Sequence, residues 1–407
     1  MFFAFDSAAI CGGMSALTPM KNVLSACAAL SALTVMTAQT ISPVPAAIQR
    51  IAKPDRKGTA WSVRAPDGPL LFTRQIQATD VSRDARGQAE QALDQVAAVV
   101  AAAGGDMKRI LRLNAYVSDD AATAAVDAAI AARFADAPPA VTLAHTPLSV
   151  KGALVGFDVI AAVSSAPASV KIVAGESAVM PAGGKVFVSG QANPGPNLAA
   201  SVATTMGKLH ASLAHLGLGK ADVVQVKAFI TPFADQAAAV AAIQKSYEGG
   251  PVPPVVLIEW IATTPAEIEL IAAAPTLTRK QEDAAAFLSL PGMPTSPYFC
   301  RIATVAAGSP LIFISGIDGG DSGSGRDQWK RAFDQLGNVL FEVDSSFRHL
   351  VKATYFLTDP AARTAMGEIR AVYYDPTRPA SASALDVPSL GRGRSKVLLD
   401  MIAVPPK

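Results

Sequence analysis

The feature that most constrains this chain is that it repeats itself three times. Leu70-Leu71-Phe72-Thr73-Arg74-Gln75 returns as Val186-Phe187-Val188-Ser189-Gly190-Gln191 and again as Ile312-Phe313-Ile314-Ser315-Gly316-Ile317, with Thr73, Ser189 and Ser315 separated by 116 and 126 positions. A second marker, Ala115-Tyr116-Val117-Ser118-Asp119, matches Ala228-Phe229-Ile230-Thr231-Pro232 and Tyr355-Phe356-Leu357-Thr358-Asp359, at spacings of 113 and 127. A third, Asp158-Val159-Ile160-Ala161, matches Glu269-Leu270-Ile271-Ala272 and Asp400-Met401-Ile402-Ala403, at 111 and 131. Three markers in one order at nearly one period mean three copies of a single domain. The copies are placed at 49–164, 165–276 and 277–407, behind a leader and linker over 1–48.

Each copy reads as strands, a helix, a strand, a second helix and two closing strands. The first helices carry apolar stripes at spacings of three and four: Ala89, Leu93, Val96 and Val100; Met206, Leu209, Leu213 and Leu216; Trp329, Phe333, Leu336 and Leu340. Gly104 and Gly217 stand where left-handed caps end the first two, and Asp359-Pro360 reads as an N-cap followed by a first helical residue. The second helices repeat the pattern with Val126, Ile130 and Phe134; Val240, Ile243 and Tyr247; Met366, Ile369 and Tyr373. This is an α+β sheet with two helices on one face. Segments such as 255–261 and 268–274 are apolar on both sides, so the other face must also be buried. Three copies can bury those faces against one another about a pseudo-threefold axis, which predicts a chain that is a monomer in solution.

Composition removes several function classes. Lys plus Arg number 35 and Asp plus Glu 33, and no run of basic residues exists, so nucleic acid is excluded as a main partner. Cys11, Cys27 and Cys300 cannot form a disulfide framework. Met20-Lys21-Asn22 followed by an apolar run to Ala38 reads as a secretory signal cut near Ala38, hence a periplasmic or secreted protein, with a cytoplasmic chain and a misassigned start as the alternative. After residue 45 no 18 unbroken apolar residues offer a membrane span. His145, His210, His215 and His349 lack metal-ligand spacing, and Gly319, Gly320, Gly323 and Gly325 fit no phosphate-binding pattern, so neither metal nor cofactor is expected.

The ordered markers resemble the RidA/YjgF family of imine and enamine deaminases across all three copies, about 360 residues: a strand with Ser-Gly-Gln, a helix ending in Gly, a strand ending in Thr-Asp, a Pro-led strand and a last strand with acid-x-Ile-Ala. The resemblance implies three RidA-like, chorismate-mutase-like α/β sandwich domains forming an intramolecular pseudo-trimer, with small-molecule sites in the clefts between copies. It further implies that Asp158, Glu269 and Asp400 position water as catalytic acids, that Thr73, Ser189 and Ser315 line the clefts, and that Tyr298, with Trp61 as its counterpart in the first copy, lines them as well.

One family residue is missing. The Arg of a Pro-Ala-Arg-Ser segment, which holds the substrate carboxylate, is replaced in Pro139-Ala140-Val141-Thr142, in Pro254-Val255-Val256-Leu257 and in Pro379-Ala380-Ser381-Ala382. An anionic substrate beside the acids would then meet uncompensated repulsion. Arg74, which replaces the Gly of Ser-Gly-Gln, and Arg378, which precedes Pro379, are the nearby cations that could stand in. Two readings stay open: a hydrolytic imine/enamine deaminase without the family Arg, or a non-catalytic protein that holds a small metabolite in the same clefts.

Overall fold

The structure is a computed structural model that describes residues 47–173, 177–275, 283–291 and 295–406; the leader, its cut near Ala38, Cys11 and Cys27 lie outside the described residues. No helix among those described is long and apolar enough to cross a membrane. Six long helices form three pairs: α1 (Ala85–Ala102) with α2 (Thr123–Arg133), α3 (Leu198–Ala214) with α4 (Gln236–Ser246), and α5 (Gly325–Glu342) with α6 (Pro360–Tyr373). Local chemistry sets their ends. Asp84 accepts from the Gly87 N–H, Asn197 from Ala200, and Ser324 with Asp327 closes a reciprocal capping box. Gly104 and Gly217 have φ of +78° and +74°, the left-handed conformation expected of them, and Asp344 takes the same role after α5 at +54°.

Each copy contributes four strands in the same spatial order. A parallel strand (Ala140–His145, Val255–Glu259, Ser381–Asp386) lies beside a middle strand (Ile110–Val117, Val223–Ile230, Leu350–Leu357). Next comes a last strand (Val155–Ala162, Ala266–Ala274, Val397–Ala403), and then a hydroxyl strand (Leu70–Thr73, Gly184–Ala192, Leu311–Asp318). The fifth position is taken from another copy. The lead strand Ser177–Met180 pairs with Leu70–Thr73, Ile302–Val305 pairs with Gly184–Ala192, and Ala60–Ala65 pairs with Leu311–Asp318. Each lead strand thus leaves its own copy and completes the sheet of the copy before it, with the first copy completing the third and closing the ring.

The links between lead and hydroxyl strands are three to five residues long and contain Pro66 and Pro69, Pro181, and Pro310. Proline has no N–H to give a hairpin ladder. The links meet at one end of the ring, where the Asp67 carboxylate accepts from the backbone N–H of Gly183 at 3.1 Å and of Gly308 at 2.7 Å and pairs with Lys185 Nζ at 2.7 Å.

Each helix pair covers its own sheet, forming a core with the predicted stripes of α1, α3 and α5. On α6 the stripe ends at Tyr374, which is buried, while Tyr373 is only partly so. The opposite sheet faces form two cores shared by all three copies: one containing Phe72, Phe187 and Phe313, the other Tyr116, Phe229 and Phe356. The face without helices is therefore buried between copies, as the two-sided apolar strands require.

Candidate functional site

The middle and last strands carry the residues that decide what the junctions can do. Middle-strand positions Arg112, Gln225 and Lys352 are structural equivalents, since each lies two residues before the one that pairs with that copy's acid (Asn114 with Asp158, Lys227 with Glu269, Thr354 with Asp400). These are polar groups in strands whose every residue is buried.

Between copies 1 and 3, Asp400 forms an ion pair with Arg112 and accepts from Thr142 Oγ1 at 3.2 Å. Arg112 also donates through Nε to Asn114 at 3.1 Å. Burial lowers the Arg112 pKa to about 10, with Asp158, Tyr116 and Glu269 opposing. Ser315 Oγ donates to Ala60 O at 2.5 Å and accepts from Val141 N–H at 2.7 Å. Only about 20 Å³ of cavity remains there, bounded by Val141, Gly316 and Leu398.

Between copies 2 and 3 the same positions are filled by other residues. Glu269 pairs with Lys352 at 2.6 Å and accepts from Ser383 Oγ at 2.8 Å. Burial would raise the Glu269 pKa, but Lys352 and Lys227 outweigh it and the net direction is downward. Ser189 Oγ donates to Cys300 O at 2.5 Å and accepts from Ala382 N–H at 2.7 Å. Glu267 covers Gly190 so closely that a Cβ there would lie 2.0 Å from its Oε1, and burial pushes the Glu267 pKa up to about 7.

Between copies 1 and 2 the equivalent position is the neutral Gln225, whose Nε2 donates to Thr73 O at 3.1 Å. Asp158 is held within its own copy by Asn114 Nδ2 at 2.9 Å and Tyr116 Oη at 2.5 Å, and burial followed by Asp158 raises the Tyr116 pKa. Thr73 Oγ1 accepts from Val159 N–H at 3.0 Å, also within its copy. This junction keeps a groove of about 1080 Å³. Arg74 and Gln75 line one side, Val255 and Leu257 another, Val170 and Ile172 the linker side, and the exposed face of α4 a further wall.

The predicted acids are therefore all buried, and each has its partners inside the ring. Asp158, Glu269 and Asp400 carry three negative charges, matched by Arg112, Lys227 and Lys352, and none of the three acids lines the groove. Trp61 is not the counterpart of Tyr298: the registers Ile314↔Ser62 and Val188↔Ile302 equate Trp61 with Arg301 and place Tyr298 level with Gly58. Trp61 packs on the third copy's core beneath Lys53, and Tyr298 lies 5.0 Å from the Arg370 guanidinium. Arg378 pairs with Asp283 at 2.6 Å and lies over Phe287. The position of the family Arg is Val141, Val255 and Ala382 by register, so Val255 takes the place assigned to Val256. Of the predicted ligand residues, Arg74 alone lines the groove. Among the described residues no three His, Cys, Asp or Glu side chains come together as metal ligands.

Residues 72–163 and 302–404 match the family model described as endoribonuclease L-PSP; the second copy lies outside both segments. None of the curated proteins matches. Among solved structures, a YjgF family member from Neisseria meningitidis is 19% identical, covering 30% of this chain and 94% of that one at a TM-score of 0.23. A putative translation initiation inhibitor from Salmonella typhimurium is 28% identical over 29% and 98%, at 0.22. A YjgF/YER057c/UK114 family member from Mycobacterium tuberculosis is 21% identical over 29% and 100%, at 0.23.

Proposed function

Because this chain belongs to the YjgF/RidA family, we propose that it keeps the family's use of the junctions between copies but binds a small molecule there without hydrolysing it. One observation carries the reading: each acid that would orient water is committed to partners inside the ring, Asp400 to Arg112, Glu269 to Lys352, and Asp158 to Asn114 and Tyr116. A general base must also reach its water, and none of the three acids lines the groove. Among the described residues the junction left open is the one between copies 1 and 2, and the size of its groove suits a ligand of ordinary metabolite to drug dimensions. The signal read at residues 20–38 would place this binding outside the cytoplasm, and N-terminal sequencing of protein from its native host checks that part.

The test is an imine-hydrolysis assay with 2-iminopropanoate and 2-iminobutanoate, paired with native mass spectrometry of the freshly purified chain. The expected result is no acceleration over buffer and a copurifying small molecule lost when Ala241→Trp fills the groove. Turnover that Asp158→Asn, Glu269→Gln or Asp400→Asn abolishes would restore the deaminase reading.

A further inference from the structure

The loop at 53–59, beside the junction of copies 1 and 3, holds a lysine in a setting that no other part of the molecule explains. Lys53 follows the strand Gln49–Ala52 and is 7% exposed, with its Nζ 3.8 Å above the Trp61 ring. The loop is pinned by the Lys53 N–H to Thr59 O at 3.0 Å and the Arg56 N–H to Lys53 O at 3.1 Å. Lysines are almost never buried unless they are paired. Among the described residues neither Lys53 nor the partly buried Arg56 beside it has a carboxylate within ion-pair distance. Arg56 also lines the residual cavity of about 20 Å³ with Arg392 and Asp318, and Arg392 is already engaged by Asp127.

Register adds a second argument. The pairings Ile51↔Ser62 and Leu288↔Ile302 equate Lys53 with Leu290 of the third copy, which is buried as well. The position is one for an apolar side chain, and the first copy puts an amine there. Burial, and after it the Arg56 charge, favours the uncharged amine; Asp55 and Asp318 oppose, Arg392 adds to the effect, and the Lys53 pKa falls to about 8. A reagent for such an amine must be small and uncharged to enter, and its product must be an anion to relieve the adjoining cations. Carbon dioxide meets both conditions.

We propose that Lys53 is a carbon dioxide site, at which the ε-amine reversibly forms a carbamate facing Arg56. The amine lone pair adds to the carbon, a C–N bond forms, one C=O electron pair moves onto oxygen, and an N–H proton leaves to water. The products are a nitrogen-bound carboxylate and one hydronium ion, so no oxidant or reductant takes part. The step exchanges the contact of an ammonium with the Trp61 face for a guanidinium–carboxylate pair, which the planar donor fork of arginine suits.

The test equilibrates the full chain with 13C-labelled bicarbonate at pH 8, records 13C NMR spectra, and traps carbamates as ethyl esters with triethyloxonium for peptide mapping. Ordinary lysines stay protonated at this pH, whereas the α-amino group reacts and serves as the internal reference. Lys53 is the one lysine expected to be trapped, with the exposed Lys57 and Lys108 left unmodified. Mapping on the unmodified chain needs no variant and decides the assignment by itself. Lys53→Arg, which keeps a cation over Trp61, should lose the adduct and its resonance. Arg56→Gln should cut the occupancy about tenfold, the equivalent of one pK unit of charge interaction. No adduct at Lys53 in the unmodified chain, an adduct spread equally over Lys57 and Lys108, or full occupancy in Arg56→Gln overturns the proposal.

Discussion

Asp67 offers the most direct test of how three copies are held as one body. Its carboxylate joins all three links, accepting from Gly183 and Gly308 and pairing with Lys185, which is 1% exposed. Burial lowers the Lys185 pKa, and Asp67 opposes that shift. Asp67→Asn keeps an oxygen for the backbone donors but leaves the ammonium buried without a counter-charge, which destabilises by about 3–5 kcal/mol. With an unfolding entropy of about 2.1 cal/mol/K per residue over the roughly 360 residues of the ring, the transition entropy is about 0.8 kcal/mol/K, and the melting temperature should fall by about 4–6 °C.

The pH dependence carries a definite sign. In the variant the folded-state pKa of Lys185 lies further below its unfolded value, so between the two the unfolded chain binds more protons and stability rises with pH. The deficit should be larger at pH 7 than at pH 9.5 and shrink as pH rises toward the unfolded-state value of lysine. The pair Asp67→Asn with Lys185→Met, which removes both charges, should recover most of the loss. Scanning calorimetry at pH 7 and pH 9.5 reads all of this. A single variant that melts within 1 °C of the parent, or a double variant no better than the single, would refute the view that this pair secures the links.

Further outcomes follow from the junctions. Arg112→Met, which strands Asp400, should destabilise by about 3–5 kcal/mol, and Arg112→Met with Asp400→Leu by much less, as measured by a double-mutant cycle in denaturant. Ser189→Ala removes the partner of both Cys300 O and Ala382 N–H, so it should lose about 1–3 kcal/mol without altering ligand binding at the other junction. Glu267 has its pKa raised by burial from 4.5 to about 7, so its protonated form stabilises the fold below pH 4.5 and that contribution, up to about 3 kcal/mol, is lost as pH rises through 7; Glu267→Gln should flatten the slope in pH-dependent melting. Light scattering should give the mass of one chain, and a stable assembly of three chains would contradict a ring already closed within one.

What could be read from the sequence was local. Helix stripes, Gly104 and Gly217, the Asp359-Pro360 start and the three-copy period all depend on residues within a turn or on self-similarity, and the structure contains them. The exchange of lead strands could not be read that way. A link such as Pro66-Asp67-Gly68-Pro69 between two short strands reads as a hairpin turn, and the partner that wins, a strand more than 100 residues away, leaves no trace in the link itself. The fate of the acids was hidden for a similar reason. Arg112 and Lys352 look like isolated charges in apolar strands, and their partners, Asp400 and Glu269, come from other copies. Aligning the three middle strands would have exposed the signal, since Arg112, Gln225 and Lys352 fall at one position in segments otherwise too apolar to hold a charge without a partner. The Tyr298–Trp61 equivalence failed because aromatic type was matched where register, three residues different, decides.

Covalent fusion explains why the junctions can differ at all. In a ring of identical chains one substitution changes every junction together, so a cation that neutralises one acid neutralises all three. Here the position is Arg112 in one copy, Lys352 in another and Gln225 in the third. Two junctions consequently gain a buried ion pair and tight packing, with Leu398 or Glu267 occupying the space over the hydroxyl strand, whereas Gly156 stands at that position in the first copy. With the neutral Gln225 opposite, Asp158 takes Asn114 and Tyr116 from its own copy. Cohesion is thus concentrated at two junctions and open space at the one bearing Arg74, a division of labour that a symmetric assembly of one sequence has no means to encode.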